Sequence, residues 1–418
     1  MKAVSVFLIG LMSLSLPAQQ MLTLEEVYSL AEKNYPLGKQ IGLIDEKTAA
    51  EIEILEKEKL PKLNLKAQAS YQSDVTGLPG GLPGLNFDSP NKDQYRATIE
   101  ADQLIYDGGS VAANTKLKKA EMETNRQQVI VDLYQLKYRV NQYYFSALLL
   151  QQQKELLISK RKLLTEKLRE LESGIKHGAV LPANGQLINA EILKLDQQLT
   201  QIDFDSKKAY QKLSLLIMTD IDSSTVLEEP AMFYGGTEEI NRPEMKLFDL
   251  QENQLETSKD VISKSLFPKI SGFAQAGYGN PGLNMLDNSF KDFYMVGIRF
   301  NWNLFDWGAS EKKKQSADIS KQIVRSQKES FVVNNRIEQK EAENDILKYE
   351  EMIKGDDGII SLREEVLKSK AAQLKYGTIT SSEYITELDN LYEAKINQQL
   401  HKTQLSLSIA NYRVIAGE

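Results

Sequence analysis

Side chains that usually carry chemistry are scarce in this chain. It has no cysteine and two histidines, His177 and His401. That removes thiolate catalysis, disulfides, zinc ribbons and a lipidated N-terminal cysteine. Two histidines cannot build a histidine-rich metal site, and both read as solvated helix-surface residues. No nucleophile elbow, phosphate-binding glycine loop or H-E-x-x-H pattern occurs. The acid pair Asp356-Asp357 reads as a turn. The expectation is a chain that is not an enzyme and needs no cofactor or metal. A net charge of −7, with no basic cluster among aromatics, argues against nucleic acid as a partner.

What stands out instead is polar side chains at every second position. Leu63, Leu65, Ala67, Ala69 and Tyr71 alternate with Asn64, Lys66, Gln68, Ser70 and Gln72. Tyr95, Ala97, Ile99 and Ala101 alternate with Arg96, Thr98, Glu100 and Asp102. The same pattern recurs around Gln275 and again around Arg299 and Asn301, where Phe273 breaks the polar face and reads as narrowing a lumen. Such alternation predicts strands with one apolar and one wet face. A Gly/Pro-rich loop, Gly77 to Gly84, separates the first two strands.

These strands belong to a unit that occurs twice. Asn34-Tyr35-Pro36 returns as Asn241-Arg242-Pro243, 207 positions later, and Ile105-Tyr106-Asp107-Gly108-Gly109 as Leu304-Phe305-Asp306-Trp307-Gly308, 199 later. The change of spacing is confined to one segment, as a shortened surface loop would leave it. Each unit opens with short helices; Thr23 and Glu26 form a capping-box pattern, and Pro61 ends a helix begun near Leu37. After each strand pair an Asp-Gly turn leads into a long helix. From Val129 through Leu136, Val140, Tyr143, Ala147, Leu157, Leu164 and Leu171 the apolar positions step by three and four. The first arm, roughly 60 residues, would reach about 90 Å. A partner helix carries Ile188, Ile192, Leu195, Leu213 and Leu216. In the second unit Gly355-Asp356-Asp357-Gly358 predicts a joint or bulge.

The expected organisation follows. Residues 1–18 form a signal peptide cut after Ala18, with Leu16 an imperfect residue at that site. Residues 19–218 are the first repeat, with strands near 62–73 and 93–105 and a helical hairpin at 110–217. Residues 219–240 connect it to the second repeat at 241–418, with strands near 269–279 and 292–304 and a hairpin at 309–416. No stretch is long and apolar enough for a transmembrane helix.

Four amphipathic strands cannot close a barrel, and an open edge in hydrocarbon leaves backbone groups unpaired at several kcal/mol each. They must stay in water or close with strands of other copies. Three copies would give twelve strands around a wet centre. Lys66, Gln68, Arg96, Glu100, Gln275, Arg299 and Asn301 then face the lumen. Tyr71, Tyr95, Tyr278 and Tyr294 form one aromatic girdle, and Trp302 and Trp307 mark the other. The alternative is a soluble periplasmic coiled-coil scaffold or adaptor without a pore.

Taken together, the duplicated order of Thr23-Leu24-Glu25-Glu26, the Asn-x-Pro starts, Leu-Pro before the first strand, Leu-Phe-Asp-x-Gly at Leu304 to Gly308, and Tyr376-Gly377-Thr378 resembles the TolC-type outer-membrane efflux family. The resemblance covers nearly all of the expected mature chain. It implies a mixed fold, a membrane β-barrel plus a long α-helical barrel, closed as a twelve-stranded homotrimer. It also implies an outer-membrane exit duct for a tripartite efflux or type I secretion system, with its helical part in the periplasm of a Gram-negative-type bacterium. A periplasmic adaptor, or membrane fusion protein, would dock at the hairpin tips, here Gly178, Ala179, Val180 and Leu181 with Gly377, Thr378, Ile379 and Thr380; an inner-membrane transporter would act indirectly. Two acidic positions that narrow the entrance in the typical member match Glu383 and Thr386, so one acidic ring is kept and the other lost. Glu383 also reads as supporting its own helix N-terminus.

Overall fold

A computed structural model describes residues 21–76, 91–178, 180–231, 234–235 and 240–418. The expected signal peptide, the Gly77 to Gly84 loop and the tip residue Ala179 lie outside them. The described chain contains α1 (Leu24–Asn34), α2 (Lys39–Lys57), β2 (Lys62–Tyr71), β3 (Asp93–Tyr106), α3 (Ser110–Tyr134), α4 (Leu136–Lys176) and α5 (Pro182–Ile217). It continues with α6 (Pro243–Lys264), β5 (Lys269–Asn280), β6 (Lys291–Asn301), α7 (Ala309–Lys375) and α8 (Ser381–Ala416). Two short strands, β1 (Met21–Leu22) and β4 (Val226–Leu227), pair in parallel.

Two compact units result, and both draw on the two halves of the sequence. One comprises Lys39–Val129 with Glu244–Glu329 and holds the sheet. Its strands run in the order β2-β3-β5-β6, all antiparallel, which leaves β2 and β6 as edges. Its helices are tied by ion pairs such as Lys259–Asp318 at 2.8 Å and Lys328–Asp249 at 2.6 Å. Such exposed pairs contribute about 0–1 kcal/mol each. Two aspartates set the starts of α3 and α7. Asp107 accepts from the Val111 N–H at 2.6 Å and the Gly109 N–H at 2.9 Å; Asp306 accepts from Ser310 and Gly308 at 2.8 and 3.0 Å. Gly108 (φ 68°) and Trp307 (φ 57°) hold the same left-handed place in these turns.

The other unit contains the described residues up to Gly38, Ile130–Pro243 and Ser330–Glu418. Here α4 packs on α5 and α8. Leu164, Ile188, Leu195 and Leu388 are fully buried, and each such side chain contributes roughly 1.5–3 kcal/mol. Thr23 and Glu26 form the capping box that their spacing predicts. Tyr144, not Tyr143, is buried on α4, beside the equally buried Phe145; the Tyr144 ring is fully enclosed. Its hydroxyl donates to the Glu228 carbonyl at 2.6 Å and stands 2.9 Å from that of Leu22, so it anchors both short strands.

Three expectations from sequence are corrected. The first long arm is divided at Gln135 into α3 and α4, although Gln135 keeps a helical backbone conformation. The Gly355 to Gly358 segment is no joint and Asp356-Asp357 no turn, because α7 is continuous for 67 residues. Side chains hold it: His401 Nδ1 donates to Asp356 Oδ2 at 2.6 Å, and Gln398 Nε2 to Asp357 Oδ1 at 2.6 Å. These bonds to α8 offset the roughly 1 kcal/mol that each helical glycine costs. His401 is accordingly largely buried rather than a surface residue, whereas His177 is exposed at the end of α4.

Candidate functional site

The register puts the predicted polar residues on one face of the sheet. Gln68 stands opposite Arg96, and Glu100 opposite both Asn64 and Gln275. Ser271 pairs with Arg299, and Lys269 with Asn301. Lys66 makes an ion pair with Glu100, and Gln275 Nε2 donates to Glu100 Oε1 at 3.1 Å. Arg299 lies 3.5 Å from Asp102 and 5.1 Å above the Phe273 ring. Lys66, Glu100 and Gln275 therefore form one network, and Arg299 joins a second one.

Phe273 owes its place on this face to Gly297, directly opposite it. A Cβ at Gly297 would stand 2.7 Å from the Phe273 ring, so the glycine makes room for the aromatic. Gly277 and Phe293 form a second such pair, with the Arg96 guanidinium 5.6 Å over the Phe293 ring. Aromatics covering cross-strand glycines stabilise the ladder at those points.

The opposite face is apolar and, among the described residues, uncovered. Leu65 is 78% exposed, Ile298 74% and Val296 69%. A strand of 11 residues spans about 36 Å, or about 25 Å when tilted by ~45°. That matches the hydrocarbon thickness a barrel strand must cross. Among the described residues no helix is long and apolar enough to cross a membrane. Tyr71, Tyr95, Tyr278 and Tyr294 stand exposed at one end of the strands, and Trp302 and Trp307 follow the other. Phe290, which sequence reasoning missed, lies 6.3 Å from Tyr95 and 5.6 Å from Tyr278 in stacked contacts. Trp302 Nε1 donates to the Leu266 carbonyl at 3.1 Å, leaving its ring outside and its polar end satisfied.

The hairpin tips lie together in the helical unit. Gly178 (φ 75°) and Gly377 (φ 72°) end α4 and α7 in the left-handed conformation that glycine tolerates best. Leu181 N-caps α5 and is exposed, while Val180 and Ile379 pack on the core of Leu171, Ile188 and Tyr384. Asn184 Oδ1 accepts from the Ser381 N–H at 3.1 Å and joins the two tips. The Thr378 hydroxyl donates to the Gln373 carbonyl at 3.0 Å.

Thr380 caps α8, and Glu383 completes the capping box. The Thr380 N–H lies 3.4 Å from Glu383 Oε1, and Lys370 Nζ lies 3.5 Å from Oε2. The Thr380 backbone and side-chain hydrogen bonds and Lys370 hold the Glu383 carboxyl below its usual range, against a smaller opposing effect of burial. Thr386 is exposed and donates to the Ser382 carbonyl at 2.9 Å.

Residues 27–217 match the family model of the outer membrane efflux proteins. Over that stretch, a little under half of its length, the chain is similar to the outer membrane efflux proteins. Three solved structures of similar fold are the CmeC channel of Campylobacter jejuni, VceC of Vibrio cholerae and the open-state MtrE channel of Neisseria gonorrhoeae. CmeC is 16% identical (TM-score 0.65; 94% of this chain, 85% of that one). VceC is 15% identical (0.64; 94% and 96%), and MtrE 16% (0.62; 94% and 89%). At this identity the likeness establishes the fold. No curated protein sequence matches the chain. The family match over residues 27–217 and the shared fold both liken the chain to outer-membrane efflux channels.

Proposed function

We propose that three copies of this chain close a twelve-stranded barrel and a helical tube, forming the passive outer-membrane stage of a tripartite efflux or type I secretion system. One observation carries the reading: a four-stranded sheet with an uncovered apolar face and two unpaired edges, β2 and β6. In hydrocarbon such edges are untenable. In the strand order β2-β3-β5-β6 every neighbour is antiparallel, so β6 of one copy and β2 of the next would also meet antiparallel.

In this assembly Lys66, Gln68, Arg96, Glu100, Gln275, Arg299 and Asn301 line the lumen. Tyr71, Tyr95, Tyr278 and Tyr294 mark one membrane interface, and Trp302 and Trp307 the other. The adaptor docks at Gly178 to Leu181 and Gly377 to Thr380. Glu383 lines the periplasmic constriction, with Thr386 uncharged at the second position. The repeats at 19–218 and 241–418 each contribute one hairpin of strands and one of helices.

Engineered cysteines test the closure against a clean background, since the chain has none. Leu65→Cys, combined with a cysteine walked through Tyr294, Val296, Ile298 and Phe300, should give oxidised trimers at one register. The purified protein should need detergent for extraction and conduct in a planar bilayer. A monomer released by high salt, with no conductance, would leave the soluble scaffold. Glu383→Ala should weaken block by cations; an unchanged block removes Glu383 from the constriction.

A further inference from the structure

We infer that an apolar ridge on α5 of one copy docks into a glycine-floored groove on α7 of the next, with Phe204 seated over Gly355 and Gly358. This deepens the trimeric reading above and rests on it.

The ridge consists of Leu193, Phe204 and Leu215, between 60% and 75% exposed. They recur every eleven residues, close to three full turns, so they form a line almost parallel to the helix axis. The groove lies on a helix that gains nothing locally from glycine. Glycine is the poorest helix former after proline, and a Cβ at Gly355 or Gly358 would meet no other described atom within 4 Å. Gly358 stands eleven residues after Leu347, and Gly355 seven before Leu362, so these four share a face. Leu347 and Leu362 are themselves mostly exposed. The face therefore carries two apolar walls, with Glu351 and the bare backbone of Gly355 and Gly358 between them.

Level and charge match the two surfaces. The Asn184–Ser381 bond holds the tips of both hairpins at one height. Phe204 lies about 22 residues past Pro182, and Gly355 about 20 before Lys375, each roughly 30 Å from the tips. Leu193, about 11 residues past Pro182, comes level with Leu362, about 13 before Lys375. Near Phe204 the ridge is flanked by Lys207 and Lys208, which come level with Glu351 at the Leu347 end of the groove. Among the described residues of its own copy, the ion pair of Glu351 is an exposed bridge to Lys354 at 3.2 Å, a weak competitor. In a ring closed by rotation each copy presents one surface to one neighbour and a different surface to the other, as a ridge and a groove require.

The test co-expresses two full-length single-cysteine variants, Phe204→Cys and Gly355→Cys, and oxidises them in membranes. A covalent dimer containing both variants is expected, and Leu193→Cys with Gly355→Cys should give at least tenfold less. Gly355→Leu should lower the temperature at which detergent-resistant trimers dissociate without reducing helical content. Sheet-edge trimers through Leu65→Cys without any Phe204–Gly355 product would overturn this docking and leave the trimer standing. Loss of both products would overturn both. An unchanged trimer in Gly355→Leu also counts against the groove.

Discussion

His401 on α8 hydrogen-bonds to Asp356 on α7 across 2.6 Å, and the bond ties the glycine-rich stretch of α7 to the helix beside it. Asp356 is nearly inaccessible. Asp356→Ala should therefore leave His401 unsatisfied and cost about 2 kcal/mol. The readout is the unfolding midpoint in detergent. Asp356→Asn, which keeps an acceptor, should cost less, and equal midpoints for Asp356→Ala and the parent would contradict the role.

Lys160 is a buried cation in the core of the helical unit, 2.6 Å from Asp389 and 3.3 Å from Glu191. Removing it leaves Glu191 buried with only the more exposed Lys194 at 3.3 Å. Lys160→Ala should destabilise by about 3 kcal/mol. Asp389→Asn should be milder, because Asp389 is more exposed. The same detergent unfolding assay ranks the two, and the reverse order would refute the assignment.

The depressed Glu383 carboxyl makes the α8 cap sensitive to acid. A carboxyl with a lowered folded value adds stability that is present above its unfolded value, near 4.5, and is lost as pH falls through the lowered value. Hydrogen-exchange protection over Ser381 to Tyr384 should fall as pH drops below about 4.5. In Glu383→Ala the protection should be low throughout and nearly independent of pH. A parent profile that is flat in acid would contradict the cap.

On the polar face of the sheet, Gly297→Val should hinder assembly, since its Cβ would stand 2.7 Å from the Phe273 ring. Overpacking of this kind costs about 1–3 kcal/mol. Phe273→Ala in the same chain should restore the yield of detergent-resistant trimer. By itself Phe273→Ala should raise single-channel conductance. Failure of the double variant to recover would remove the pairing.

The opposite face should reject charge. Val296→Arg, on the exposed apolar row, should cost about 2–4 kcal/mol near mid-membrane. Gln275→Arg, one strand over on the polar face, should be tolerated. Outer-membrane yields compare the two, and equal yields would count against a lipid-facing surface.

Period and capping were legible in sequence because both are local. The two-residue alternation of Leu63 to Tyr71 gives the sheet face directly, and Thr23 with Glu26 announces its helix. Contacts set by tertiary neighbours were not. Tyr143 fits the heptad stripe, but Tyr144 is buried because β1 and β4 bring backbone carbonyls to its hydroxyl. Gly355 to Gly358 looks like a break until His401 and Gln398 supply partners from another helix. Phe290 carries no periodic signal; it stacks on Tyr95 and Tyr278 only because the strands bring these two side by side. The Phe273–Gly297 pair likewise needs the register before either residue makes sense.

Because each copy adds four strands in alternating direction, the circumference of any closed cylinder built from it can change only in whole steps of four. Adding or losing a protomer would alter the bore abruptly rather than by one strand. In the proposed barrel, fine adjustment of what passes would therefore fall to residues of the polar face, such as Phe273 and Arg299, and not to the number of staves.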